Sequence, residues 1–183
     1  MSAARFYIVT RESWYVERSV WLISGVVGLA SVAASLLVHP AAILLVAAVG
    51  LSSLAVALTG YCAVGSVLLA LGVRPMLAEP ERDGKRPRLY RMRTDKWFLE
   101  RGIYAVVGTN LTLASLLAYA HSPWWMAFVG FVAAASLVFA VTGFCPVANV
   151  LWWVGLEPRL GPARTTACAA LPSHPSRSGT LRA

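Results

Sequence analysis

Two cysteines stand in matching settings, Cys62 in Thr59-Gly60-Tyr61-Cys62 and Cys145 in Thr142-Gly143-Phe144-Cys145-Pro146, and they are the side chains best suited to chemistry. A facing thiol pair can carry a persulfide, form a reversible disulfide or bind a soft metal such as Cu(I). Against this, each is a small apolar residue beside a helix-breaking glycine, and no basic residue in either flank is placed to stabilise a thiolate. The third cysteine, Cys168, lies in a polar tail, and no CxxC or Cys/His spacing marks a zinc site or a disulfide framework.

The second candidate set is ionic. Glu17-Arg18 and Glu100-Arg101 each open an apolar stretch, so both pairs fall where a helix would enter a membrane. A carboxylate there is favoured by the helix dipole, and the pairs are placed to bridge reciprocally, Glu17 with Arg101 and Glu100 with Arg18. His39 and His121 lie near two turns but one position out of register, a weak basis for a two-histidine metal site. No catalytic constellation, metal site or cofactor motif emerges, and the sequence reads as a non-enzyme.

These settings match because the chain repeats itself. Residues 14–77 overlay residues 97–160 without a gap, pairing Trp14 with Trp97, Glu17-Arg18 with Glu100-Arg101, Gly25 with Gly108, Pro40 with Pro123 and Pro75 with Pro158. Apolar resemblance alone would not align the charges, the prolines and both Thr-Gly-aromatic-Cys elements in one register.

The elements that must position these residues follow from composition. Of 183 residues 58% are apolar and only 13% charged, and residues 20–73 and 102–156 contain no Asp, Glu, Lys or Arg. Soluble domains carry charge on about a quarter of their residues, so lipid is the solvent that suits this chain. Residues 20–38 suffice for one crossing, at about 19 residues for a core roughly 30 Å thick. His39-Pro40 ends that helix. The return stretch, residues 41–73, would measure roughly 50 Å as one helix and overshoot the bilayer. A break is therefore expected at Thr59-Gly60, leaving a short helix at the interface. The second unit repeats the plan, with a turn at Ser122-Pro123 and a break at Thr142-Gly143 reinforced by Pro146. The expected fold is an all-α integral membrane protein with four transmembrane helices, arranged as two tandem parallel-repeat hairpins, each followed by a short interfacial helix. Because residues 20–38 match an internal span, they are retained in the mature chain rather than removed as a signal peptide.

The organisation is accordingly a cytoplasmic N-terminal segment (1–13), a first hairpin (14–77), a basic solvated linker (78–96), a second hairpin (97–160) and a disordered tail (161–183). The hairpin tips lack Lys and Arg, whereas the opposite ends hold nearly all of them, which places both termini and the linker in the cytoplasm of a multi-pass protein. The net charge of +8 lies beside the spans, pointing to anionic lipid headgroups at the cytoplasmic face and away from nucleic acid. Trp14, Trp97, Trp124, Trp125, Trp152 and Trp153 read as interfacial anchors. Thr59-Gly60 and Thr142-Gly143, with Gly25, Gly108, Ser31 and Ser115, provide small faces for close helix approach, and Asn110 and Thr112 are expected to bond to a neighbouring helix.

The order Trp-x-x-Glu-Arg, a glycine-bearing span, a short turn, and a second span ending Thr-Gly-Phe-Cys-Pro before a closing glycine resembles the YgaP-like inner-membrane transmembrane domain, here in two copies. The second copy follows that pattern, whereas the first has Ala63 in place of the proline. The resemblance implies a bacterial inner-membrane module of undefined biochemical role, which in some members accompanies a rhodanese domain and associates as a homodimer. No segment here reads as a rhodanese domain, so sulfurtransferase activity is not carried over. The leading expectation is a non-enzymatic membrane scaffold or accessory protein with a membrane-protein partner or a second copy. A thiol- or sulfur-handling carrier using Cys62 and Cys145 is the alternative, and a small-solute or ion transporter comes third, because no acid or base lies within the spans.

Overall fold

A computed structural model describes residues 7–9, 13–78 and 89–160. The expected disordered tail, Cys168 and the middle of the linker lie outside the described residues. The elements are α1 (Val16–Leu37), a 3-10 turn (Pro40–Ile43), α2 (Leu44–Thr59), α3 (Ala63–Ala70), α4 (Leu99–Ala120), α5 (Trp125–Thr142) and α6 (Pro146–Trp153). No strand forms among the described residues; extended segments meet only in isolated bridges. Four stretches are long and apolar enough to cross a membrane: Val16–Leu37, Pro40–Thr59, Leu99–Ala120 and Trp125–Thr142. Large apolar side chains such as Leu36, Leu37, Leu58 and Phe131 point outward from them, a surface suited to lipid rather than water.

Each helix boundary has a local cause. α1 ends at Leu37, and His39 accepts the Ala41 N–H to start the proline-led 3-10 turn, while the Ser35 hydroxyl donates to Pro40 O and closes the corner. At the far end of α2, the Thr59 hydroxyl donates to Ala55 O at 2.7 Å and accepts the Tyr61 N–H, Gly60 turns left-handed at φ 75°, and Cys62 caps α3. Thr142, Gly143 (φ 73°) and Cys145 repeat these steps between α5 and α6. Only glycine adopts that backbone without strain. Pro146 occupies the first position of α6, where its missing N–H costs nothing; Ala63 holds that position in α3, and the helix starts there all the same. The break is made by the glycine and the cysteine cap, with no need of the proline.

The long helices pack across the halves of the chain more than within them: α1 lies chiefly on α5 and α2 chiefly on α4. Small residues set both crossings. A Cβ placed on Gly25 would lie 2.9 Å from Ala133 O, and one placed on Gly108 would lie 2.8 Å from Gly50 O. Such contacts bring backbones together where lipid gives apolar side chains little reason to associate. Asn110 and Thr112, expected to bond to a neighbour, donate instead to Val106 O and Gly108 O of their own helix. The preceding turn offers a carbonyl within reach, so neither side chain has to find a partner elsewhere.

Candidate functional site at the helix entries

The polar residues singled out by sequence converge at one end of the bundle, where α1 and α4 begin and α2 and α5 end. Glu17 is almost fully buried, and its carboxylate accepts the Leu77 N–H at 2.6 Å, the Met76 N–H at 3.1 Å and the Tyr90 hydroxyl at 2.8 Å. Glu100 accepts the Leu160 N–H at 2.6 Å, the Arg159 N–H at 3.0 Å and the Tyr7 hydroxyl at 2.9 Å. Residues 83 positions apart therefore play the same parts, and each tyrosine belongs to the segment leading into the other half. The backbone donors come from the loop after each short helix. That loop also accepts the first N–H of the long helix, Val16 to Arg74 O and Leu99 to Glu157 O, both at 3.0 Å. A carboxylate with three donors at a helix N-terminus is held by charge-assisted bonds and by the dipole together.

The arginines face the opposite helix ends. Arg101 Nε donates to Ala57 O at 2.6 Å, and its Nη1 reaches both Thr94 O and Lys96 O; Arg18 Nε donates to Ala140 O at 2.6 Å. Ala57 and Ala140 lie in the last turns of α2 and α5, whose carbonyls have no intrahelical donor. Arg18 and Arg101 also lie over the Trp14 and Trp97 rings, at 4.1 and 4.2 Å. The expected reciprocal bridges, Glu17 with Arg101 and Glu100 with Arg18, are thus replaced by carboxylate-to-amide and guanidinium-to-carbonyl bonds. Among the described residues the ion pair within 4.0 Å is the peripheral Arg159–Asp95, at 3.2 Å. The physical reason is that buried loop amides beside the glutamates, and the orphan carbonyls at the ends of α2 and α5, would cost more if left unpaired than two charges gain from direct contact.

Cys62 and Cys145 are buried free thiols. Each sulfur accepts an N–H from the first turn of its own short helix, Gly65 at 3.2 Å and Ala148 at 3.5 Å. Burial pushes both thiols above their ordinary range, partly offset by these backbone donors. No disulfide joins them, and no group of three or more His, Cys, Asp or Glu among the described residues could hold a metal.

The sequence reading missed the two leaders. Residues 7–9 and 90–92, expected in a cytoplasmic N-terminal segment and a solvated linker, dock into the far corners: Val9 N donates to Gly143 O at 3.0 Å, and Met92 N to Gly60 O at 2.8 Å. Tyr7 N donates to the Asn149 side chain at 2.7 Å and Tyr90 N to the Ser66 hydroxyl at 2.9 Å. Tyr7, Val9, Tyr90 and Met92 are each only 1% exposed. Burial, reinforced by Glu100 and Glu17 respectively, drives the Tyr7 and Tyr90 hydroxyls far above their usual range, so both remain donors. Extending the internal register upstream of Trp14 to the Tyr7–Tyr90 match would have found them.

Glu17, Glu100, Arg18 and Tyr15 line one narrow crevice between the halves, roofed by Trp21 stacked on Tyr104 at 4.8 Å between centroids. Every buried side-chain nitrogen and oxygen among the described residues has a hydrogen-bond partner. No family model, curated protein or solved structure matches the chain.

Proposed function

We propose that the chain is a non-enzymatic scaffold or accessory protein of the bacterial inner membrane, built from two tandem YgaP-like hairpins with both termini cytoplasmic. The observation that carries this reading is the use of the charged and thiol side chains. Glu17 and Glu100 hold the loops that follow α3 and α6, Arg18 and Arg101 close the ends of α5 and α2, and Cys62 and Cys145 cap α3 and α6. Residues spent on holding the fold are poorly placed to turn over a substrate or couple a gradient. The reciprocity of the contacts, with each leader tyrosine on the other half's glutamate, fits two parallel repeats related by a two-fold axis along the membrane normal. In this arrangement α3 and α6 lie at the cytoplasmic interface, and the basic rim faces anionic headgroups and a membrane-protein partner or a second copy.

The decisive experiment reconstitutes the purified protein in liposomes and measures solute and ion flux together with thiosulfate-to-cyanide sulfur transfer. No activity above empty liposomes is expected, while turnover or flux by the protein alone would end the scaffold reading. Reporter fusions at the two termini and in the linker test orientation separately, with a cytoplasmic signal expected from all three. The alternative of a thiol carrier retains one specific support, the equivalence of Cys62 and Cys145. It requires both thiols to label in intact membranes and a Cys62→Ser/Cys145→Ser variant to lose a sulfur-dependent phenotype.

A further inference from the structure

The short helices α3 and α6 carry the same outward apolar stripe but different charges around it. On α3 and its C-cap, Val64, Val67 and Leu71 face out, the last two 61% and 74% exposed, while Gly65 and Ser66 face the protein. On α6, Val150 and Val154 occupy the matching positions, 58% and 74% exposed, and Ala148 and Asn149 are buried. This pattern is inverted relative to a helix in water, with polarity inward and apolar side chains outward.

Charge separates the two corners. Arg74 lies in the loop directly after α3, where its carbonyl anchors Val16. Arg91 lies at the other end of the corner, in the antiparallel bridge with Tyr61. Because Met92 points inward, alternation along the extended leader turns Arg91 and Arg93 outward, and both are exposed, as is Arg74. The positions equivalent to Arg74 and Arg91 in the other half are Glu157 and Ile8. The nearby Arg159 is engaged by Asp95 and lies over the Phe98 ring. Among the described residues, then, the α3 corner is apolar and cationic, whereas the α6 corner is apolar and near neutral.

We propose that the α3 corner is a docking surface for anionic phospholipids, whose headgroups sit beside Arg74, Arg91 and Arg93 and whose acyl chains lie along Val64, Val67 and Leu71. The occupant follows from charge complementarity: an exposed apolar stripe accepts any acyl chain, but guanidinium groups at both ends of it select a phosphate-bearing headgroup with net negative charge. The proposal rests on the membrane-spanning reading but not on its orientation.

Native mass spectrometry of the full chain, released from detergent with equal amounts of phosphatidylglycerol and phosphatidylcholine of identical chains, reads the preference directly. The wild type is expected to retain phosphatidylglycerol selectively, and Arg74→Gln and Arg91→Gln to weaken that retention by about five-fold each, while Arg→Lys at either site largely preserves it. Ile8→Arg combined with Glu157→Arg is expected to add a second selective site at the α6 corner. Equal retention of the two lipids by the wild type, or undiminished selectivity in Arg74→Gln/Arg91→Gln, would overturn the proposal. A micelle has no inside, so these outcomes are independent of the terminal reporters, and a failure of orientation is distinguishable from a failure of lipid recognition.

Discussion

The hydroxyl of Tyr7, in the leader of the first half, donates to Glu100 at the start of α4 in the second, at 2.9 Å. Tyr90 returns the contact to Glu17 at 2.8 Å, so each half is fastened by a residue that belongs to the other. Hydrogen bonds to a charged group contribute about 1.5–3 kcal/mol. Tyr7→Phe and Tyr90→Phe are therefore each expected to destabilise by about that amount, lowering the midpoint of thermal unfolding in detergent. Equal losses for the two would reflect their equivalent geometry. If neither substitution moves the midpoint, the leaders are not fastened as the contacts imply.

The glycines at the helix crossings respond to size rather than to polarity. A Cβ on Gly108 would meet Gly50 O at 2.8 Å and Leu54 N at 2.9 Å, and backbone atoms cannot rotate away as a side chain would. Gly108→Ala is expected to cost about 1–3 kcal/mol through forced separation of α2 and α4. Gly130 is the control, since nothing lies within 4 Å of a Cβ placed there. Gly130→Ala, in the interior of α5, is expected to stabilise by roughly 0.5–1 kcal/mol, because alanine is the better helix former. Comparable effects of the two substitutions would argue against close crossing at Gly108.

The fold was legible where sequence and solvent leave one solution. Charge-free stretches of membrane length, ended by Pro40 and Gly60 and again by Pro123 and Gly143, mark the helices. The way the halves engage was not legible, because an alignment of one stretch of sequence on another tells which positions match but not which of them touch. Glu17 and Arg101 carry opposite charges and invite direct pairing on paper; in three dimensions each is nearer to unsatisfied backbone, which neither hydropathy nor charge pattern records. Tyr7 and Tyr90 were overlooked for a related reason: short leaders flanked by charged residues resemble tails and linkers until a buried carboxylate gives them something to bind.

Arg101 and Arg18 close the C-termini of the helices they face. Arg101 is buried and bonds Ala57 O, Thr94 O and Lys96 O, whereas the Arg18 side chain is more accessible. Arg101→Gln is expected to destabilise by about 1.5–3 kcal/mol, because it removes a charge-assisted donor and leaves the Ala57 carbonyl at the end of α2 unpaired. Arg18→Gln should cost less, since water can replace part of what is lost. Urea or heat unfolding of the two variants side by side tests the order, and an equal or larger loss for Arg18→Gln would contradict it.

Stability should be flat near neutral pH and fall in alkali. In the folded chain Cys62 and Cys145 are pushed above the ordinary thiol value of 9.0, chiefly by burial. Tyr15 is likewise pushed to about 12, again chiefly by burial, with Glu17 adding to the rise. Above pH 9 the unfolded chain gives up thiol protons that the folded chain keeps, so it binds fewer protons and unfolding is favoured as pH rises. The stabilisation is complete below the unfolded thiol value and is lost as pH climbs through the raised folded values. Tyr7 and Tyr90, also raised, extend the loss above their ordinary value of 10.0. Serine caps a helix well and does not titrate in this range, so Cys62→Ser/Cys145→Ser should preserve stability at neutral pH and make the decline between pH 9 and 10 shallower. Thermal melts of both proteins at half-unit steps from pH 7 to 11 check this. Parallel curves would show that the thiols titrate alike in the folded and unfolded chain and are not buried caps, which would return them to consideration as reactive groups.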